Sequence, residues 1–224
     1  VLSELAEAFY AQPMLRTLPL ILALTALAAA EDGFVPLFDG KTLDGWEILN
    51  KRGPGFVVES GAIVCPPDGG QKLVSLKQFA NFVLRLEFKL EPDSNNGIGI
   101  RSPRDAHTST QGIEIQILDE SGPRYSQRKL RPEQYHGAIY DVIPARTGFL
   151  KPPGEWNEQE ITANGRRITV RLNGVIILDA DLDLVREPEV LKKHPGLARK
   201  SGHLLLLGHN TRVEFRNLRI KELP

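Results

Sequence analysis

Residues 111–119 read Q-G-I-E-I-Q-I-L-D, and their alternation carries most of the argument for the fold. Ile113, Ile115 and Ile117 share one face of an extended chain, while Glu114 and Gln116 share the other. This is the two-residue period of a strand with one face buried. The isoleucines point inward. A carboxylate beside a carboxamide, with Asp119 where the strand ends, forms a polar row suited to holding a sugar or removing a proton. An ordinary solvated face of an antiparallel sheet shows the same pattern.

The period recurs outward in both directions. In F-V-L-R-L-E-F-K-L (82–90), Phe82, Leu84, Leu86, Phe88 and Leu90 share a face opposite Arg85, Glu87 and Lys89. Asn95-Asn96-Gly97 reads as a turn into I-G-I-R, which sets Arg101 opposite Ile98 and Ile100. Two Asn-Gly pairs, at 164–165 and 173–174, separate apolar runs. Asn and Gly tolerate the positive φ of a type I′ turn, so 157–180 is predicted as a three-stranded meander. Residues 203–208 and 212–220 are predicted to add a closing pair of strands. Only 182–193 looks partly helical, with Pro188 interrupting it, and the polar stretch 120–134 reads as a long functional or mobile loop. Many short strands with little helix predict an all-β fold, a β-sandwich or jelly roll.

Composition bounds the function. The chain has 224 residues, with 28 Lys and Arg balancing 28 Asp and Glu. Zero net charge removes the electrostatic reason to expect nucleic acid or an anionic membrane as partner. Met14 opens a segment with Arg16, an apolar run from Leu18 to Leu27 and Ala28-Ala29-Ala30, the pattern of a secretory signal peptide. That apolar run is too short to span a bilayer. On this reading residues 1–30 are upstream sequence and signal, 31–224 form one β-sandwich domain, and the protein is exported to the periplasm or medium without stable membrane insertion. Cys65, the lone cysteine, reads as a small buried hydrophobe near a strand end.

Beyond residue 33 the chain resembles the 3-keto-disaccharide hydrolase family. The resemblance rests on F-V-P-L-F-D-G-K-T-L-D-G-W (34–46), N-N-G-I-G-I-R (95–101), G-I-E-I-Q-I-L-D (112–119) and Y-H-G-A-I-Y (135–140). It continues through K-P-P-G-E-W-N (151–157), L-N-G (172–174) and G-H-N-T-R-V-E-F-R-N-L-R-I-K-E-L (208–223). It implies a concanavalin-like jelly-roll sandwich of two curved antiparallel sheets, and action on glycosides oxidised at C3 of the sugar. Asn210 stands where many relatives have Gly, which predicts a different backbone turn after His209.

A 3-keto group acidifies the C2 hydrogen, so removing that proton expels the aglycone from C1, and water then completes a net hydrolysis. The route needs a base, a group to stabilise the enolate and an acid for the leaving group. Glu114 is the first candidate for the base, Arg101 for the enolate and His136 for the acid, because histidine titrates near neutral pH. A salt bridge from Arg101 to Glu114 or Asp119 and a backbone-bonded loop histidine are the plainer alternatives. Gln116, Asp119, Tyr140, Lys151, Trp156 and His209 are candidate substrate contacts. Trp156 is suited to stacking on a sugar but is read as slightly better placed in the core, and Trp46 as core.

The five histidines form no H-x-H or H-E-x-x-H array, so no metal site is legible. The composition leaves room for a divalent ion held by Glu114, Asp119 and a folded-in histidine. Two other functions fit the same sequence: a non-catalytic carbohydrate-binding, lectin-like module, and an ordinary glycosidase with a second carboxylate facing Glu114.

Overall fold

The computed structural model describes residues 33–224, and the expected signal peptide lies outside them. Thirteen strands among these residues form two antiparallel sheets packed face to face. The larger sheet is built from β1 (Val35–Pro36), β3 (Val57–Glu59), β4 (Ala62–Cys65), β6 (Phe82–Leu90), β9 (Trp156–Asn164), β10 (Arg167–Leu172), β11 (Val175–Asp181) and β13 (Val213–Glu222). Its order is β11-β10-β9-β6-β13-β4-β3, with β1 also pairing β13. The smaller sheet runs β2 (Trp46–Leu49), β5 (Lys72–Phe79), β12 (Gly202–Gly208), β7 (Asn95–Ser102) and β8 (Ile113–Leu118). The jelly-roll expectation is met.

Alternation does the work in each strand. β6 is buried at every second residue, as its sequence requires, and Ile113, Ile115 and Ile117 of β8 enter the same core. Burying a side chain of this size is worth about 1.5–3 kcal/mol, which makes this core the main favourable contribution to the fold. In β13 the inward positions shift from Val213 and Phe215 to Leu218 and Ile220, a change of parity. A bulge absorbs it: the register slips between Arg216 and Arg219, and Asn217 takes the left-handed conformation at φ 54°.

Several elements differ from the sequence expectations. The meander exists as β9-β10-β11, and the Asn173-Gly174 turn has positive φ at both residues, as type I′ demands. At the first turn Asn164 is the last strand residue, and Gly165-Arg166 form the loop with positive φ only at Gly165, the pattern of a type II′ turn. Asn95, Asn96 and Gly97 lie inside β7; the turn falls before them. The predicted closing pair does not form, because β12 lies between β5 and β7 in the small sheet while β13 lies between β6 and β4 in the large one. Residues 209–212 cross from one sheet to the other. Pro188 starts the short helix α3 (Pro188–Lys193) instead of breaking it, since a first-turn position needs no amide donor. Cys65 is fully buried, and desolvation pushes its thiol up to about 12.

Candidate active site

The small sheet has an outer face, turned away from the core, and its register lays that face out in rows. One row runs Glu47, Val74, Leu205, Gly99, Glu114; the next runs Leu49, Lys72, Leu207, Gly97, Gln116. Residues 138–140 lie antiparallel along the free edge of β8, with the Tyr140 amide donating to the Glu114 carbonyl at 2.9 Å and the Gln116 amide to Ala138 at 3.0 Å. Ile139 enters the core, so Tyr140 stands on the outer face beside Glu114.

One glycine in these rows leaves a hollow that takes the carboxylate. A Cβ on Gly97 would lie 2.5 Å from Glu114 Oε1, so the glutamate leans over Gly97 into space that any other residue would fill. A Cβ on Gly99 would meet Thr108 Cγ2 at 2.7 Å, so Thr108, the first residue of the helix α1 (Thr108–Gln111), packs over the neighbouring position of the same face. Val74, Leu205 and Leu207 form a small apolar cluster on the same face, joined by Leu49.

Glu114 is 7% exposed, yet its carboxylate takes part in no hydrogen bond or ion pair among the described residues. Desolvation raises its pKa from 4.5 to about 7. A buried carboxyl with no stabilising partner, poised to ionise near neutral pH, is suited to a general base. Gln116 shares the face and donates to Asn95 Oδ1 at 3.2 Å. The Tyr140 hydroxyl accepts from Gln134 at 3.4 Å, which ties the end of the 120–134 stretch to the wall of the hollow.

Other sequence candidates stand elsewhere. His136 is buried between the sheets, opposite the face that carries Glu114. Its ring packs against Phe88 with centroids 5.3 Å apart, and Nε2 meets Gln159 Oε1 at 3.2 Å. Its Nδ1 accepts from the Leu118 amide at 3.4 Å. Burial lowers its pKa to about 4, so it is a neutral core residue and not a proton donor at physiological pH. Arg101 is turned to one end of the sandwich, where it donates to Ala80, Gly165 and Asn81 and does not reach Glu114. A left-handed φ of 48° beside the β7–β12 irregularity aims it away from its strand's outer row.

Asp119 accepts the amides of Asp93, Ser121 and Gly122 and the Ser121 hydroxyl, so it organises the turn that follows β8. Together with Lys151 it lines a cavity of about 340 Å³. Lys151 Nζ donates to the Trp156 carbonyl at 2.9 Å. Trp156 lies on the outer face of the large sheet, not in the core: Arg216 sits 3.9 Å and Lys89 4.9 Å from its ring centroid. It starts β9 in the outward phase, one residue before the inward Asn157. Trp46 is buried as expected and donates to the Leu37 carbonyl.

His209 is exposed at the end of β12, where partial desolvation and the neighbouring His107 lower its pKa. Asn210 adopts φ 61°, a conformation Gly also takes, so the turn after His209 needs no rearrangement. No group of three or more His, Cys, Asp or Glu among the described residues is arranged to hold a metal ion. Sequence reasoning missed Gly97, Gly99 and Thr108. The signal for the glycines was present in N-G-I-G-I, where they alternate with isoleucines and so share the outer face.

Comparison with known proteins agrees with this architecture. Residues 33–221 match the model of the 3-keto-alpha-glucoside-1,2-lyase-like domain. The chain is 26% identical to a 3-keto-disaccharide hydrolase of Bacteroides thetaiotaomicron over 229 aligned positions, covering 86% of this chain and 79% of that protein. A solved Parabacteroides distasonis protein assigned as a glycosyl hydrolase superposes with a TM-score of 0.71 at 26% identity, covering 85% of this chain and 99% of its own. A carbohydrate-binding module from Bacillus subtilis shares the fold, with a TM-score of 0.54 at 13% identity over 80% of this chain and 96% of its own.

Proposed function

This chain belongs to the 3-keto-alpha-glucoside-1,2-lyase-like family, a carbohydrate-acting group, and from that premise we propose that it is an exported enzyme that cleaves 3-keto-glycosides. Glu114 removes the C2 proton, and the electron pair of that bond forms the C1–C2 double bond as the C1–oxygen bond breaks. The departing aglycone oxygen takes a proton from water or from the newly protonated Glu114, and water adds to the resulting enone at C1. The observation that carries this reading is the unpaired, desolvated Glu114 carboxyl on a rigid strand. Its burial matters twice. A carboxylate stripped of solvent is a stronger base than one in water, and a pKa near working pH leaves a useful ionised fraction.

Gln116 and Tyr140 flank Glu114 on the same face and are the groups placed to hold sugar hydroxyls.

The test is turnover of a chromogenic 3-keto-glucoside by purified protein, with and without chelator, set beside the unoxidised parent glucoside. The reading expects cleavage of the keto sugar alone and a primary isotope effect when C2 carries deuterium. Equal cleavage of both sugars would point to ordinary glycosidase chemistry, and tight binding without turnover to a carbohydrate-binding module.

A further inference from the structure

One end of the sandwich gathers positive charge around a cavity distinct from the Glu114 hollow. The Ala80-Asn81 turn between β5 and β6, the Gly165-Arg166 turn between β9 and β10, Arg101 near the end of β7, and Lys200 line about 300 Å³. Arg101 is 1% exposed. Its Nε donates to the Ala80 carbonyl at 2.8 Å, Nη1 to the Gly165 carbonyl at 2.6 Å and Nη2 to Asn81 Oδ1 at 3.1 Å. All three acceptors are neutral, and a guanidinium has five N–H donors to place.

A buried cation normally brings a counter-charge with it, because the desolvation of an unpaired ion costs several kcal/mol. Arg101 has no carboxylate partner among the described residues. The charged neighbour that acts on it has the wrong sign: burial first, then repulsion from Arg166, lowers its pKa. Arg166 pairs with Asp183 at 2.8 Å, but Asp183 is 63% exposed and does not line the cavity. The exposed Lys200 adds a third cation and makes no ion pair or hydrogen bond among the described residues. Three cations thus line one small cavity, and no acid joins them there.

We propose that this cavity is an anion site that takes a tetrahedral oxyanion, sulfate or phosphate, either free or as an ester on a glycan. The missing counter-charge is what the ligand supplies. Guanidinium forks match the paired oxygens of such groups, and Lys200 adds a mobile point charge at the mouth. The proposal does not depend on the reaction assigned to Glu114.

Removing Arg101 would also break three structural bonds, so the exposed Lys200→Glu carries the test. Isothermal calorimetry and thermal unfolding are run with sodium sulfate and sodium phosphate against sodium chloride at matched ionic strength. Glucose 6-sulfate and glucose 6-phosphate serve as the ester forms. The expected result is saturable binding of at least one oxyanion, with a matching rise in Tm and an affinity about 10-fold weaker in Lys200→Glu. General salt stabilisation by sulfate acts on both proteins alike and cancels in that comparison. If the free ion binds and the esters do not, the ligand is inorganic; if an ester binds at least as well, the site reads a substituent on the sugar. No binding beyond that of chloride, or equal binding by Lys200→Glu, leaves an adventitious ion only and overturns the proposal.

Discussion

Replacing Glu114 by glutamine should stabilise the protein at high pH while disabling it. The carboxyl's pKa rises from 4.5 to about 7 on folding because burial penalises the ionised form. The folded state therefore holds this proton more tightly than the unfolded state. Below pH 4.5 both states are protonated and burial of the carboxyl carries no ionisation penalty. The penalty grows between pH 4.5 and 7 and is constant above that range. Each tenfold change in proton affinity is worth about 1.4 kcal/mol, so the destabilisation amounts to about 1 kcal/mol at pH 5 and about 3 kcal/mol at pH 8. The amide of glutamine pays its own desolvation, but that cost does not vary with pH. The stability difference between variant and wild type should then be about 2–3 kcal/mol more favourable to the variant at pH 8 than at pH 5. Urea unfolding followed by the fluorescence of the buried Trp46 measures it. His136 titrates in both proteins and cancels. A difference that is flat across this range would falsify the claim that the carboxyl is desolvated. In the same preparations kcat/KM of the wild type should rise with pH through about 7, and the variant should lose about 100-fold or more. Retained turnover would remove Glu114 from the role of base.

Gly97→Ala should place a methyl group where Glu114 Oε1 now lies, displacing the carboxylate. Gly97 has no positive φ, so backbone strain does not confuse the result, and kcat/KM should fall about 10- to 100-fold in a folded protein. His136→Ala should destabilise by about 2–4 kcal/mol through lost packing and an unpaired Gln159, while the folded fraction keeps its turnover. His136 also predicts acid lability: its folded pKa is depressed, so its contribution is present above 6.5 and is lost as pH falls toward about 4, which a pH series of urea midpoints would show. Asn210→Gly should change Tm little, by no more than about 0.5 kcal/mol in stability, since both residues accept the left-handed conformation found there.

The strands were readable because their period is written in side chains: β6 alternates throughout and β8 from Ile113 to Ile117, and tertiary context had nothing to override. Partnership between strands was not. β12 and β13 follow one another in sequence and look like a pair, yet four residues suffice to cross between sheets, and no local signal separates a hairpin from a crossover. The bulge in β13 left a trace in the sequence, since two polar residues, Arg216 and Asn217, separate Phe215 from Leu218 where alternation allows one. Within the site, Glu114, Gln116 and Tyr140 share a face because alternation and edge pairing put them there. Arg101 and His136 misled for a common reason. Each is a polar group next to an apolar strand, and whether such a group faces solvent or is satisfied inside depends on partners far away in sequence, Gly165 for one and Gln159 for the other.

The segment 138–140 that lies along β8 has an effect reaching beyond its own molecule. A final strand in an open sheet offers a ladder of amides and carbonyls to any passing chain. Here the protein's own backbone occupies part of that ladder at Glu114 and Gln116. The strand bearing Glu114 is thereby shielded from templating fibrils or swapped dimers. Loosening that flap should be felt first as turbidity in concentrated solution.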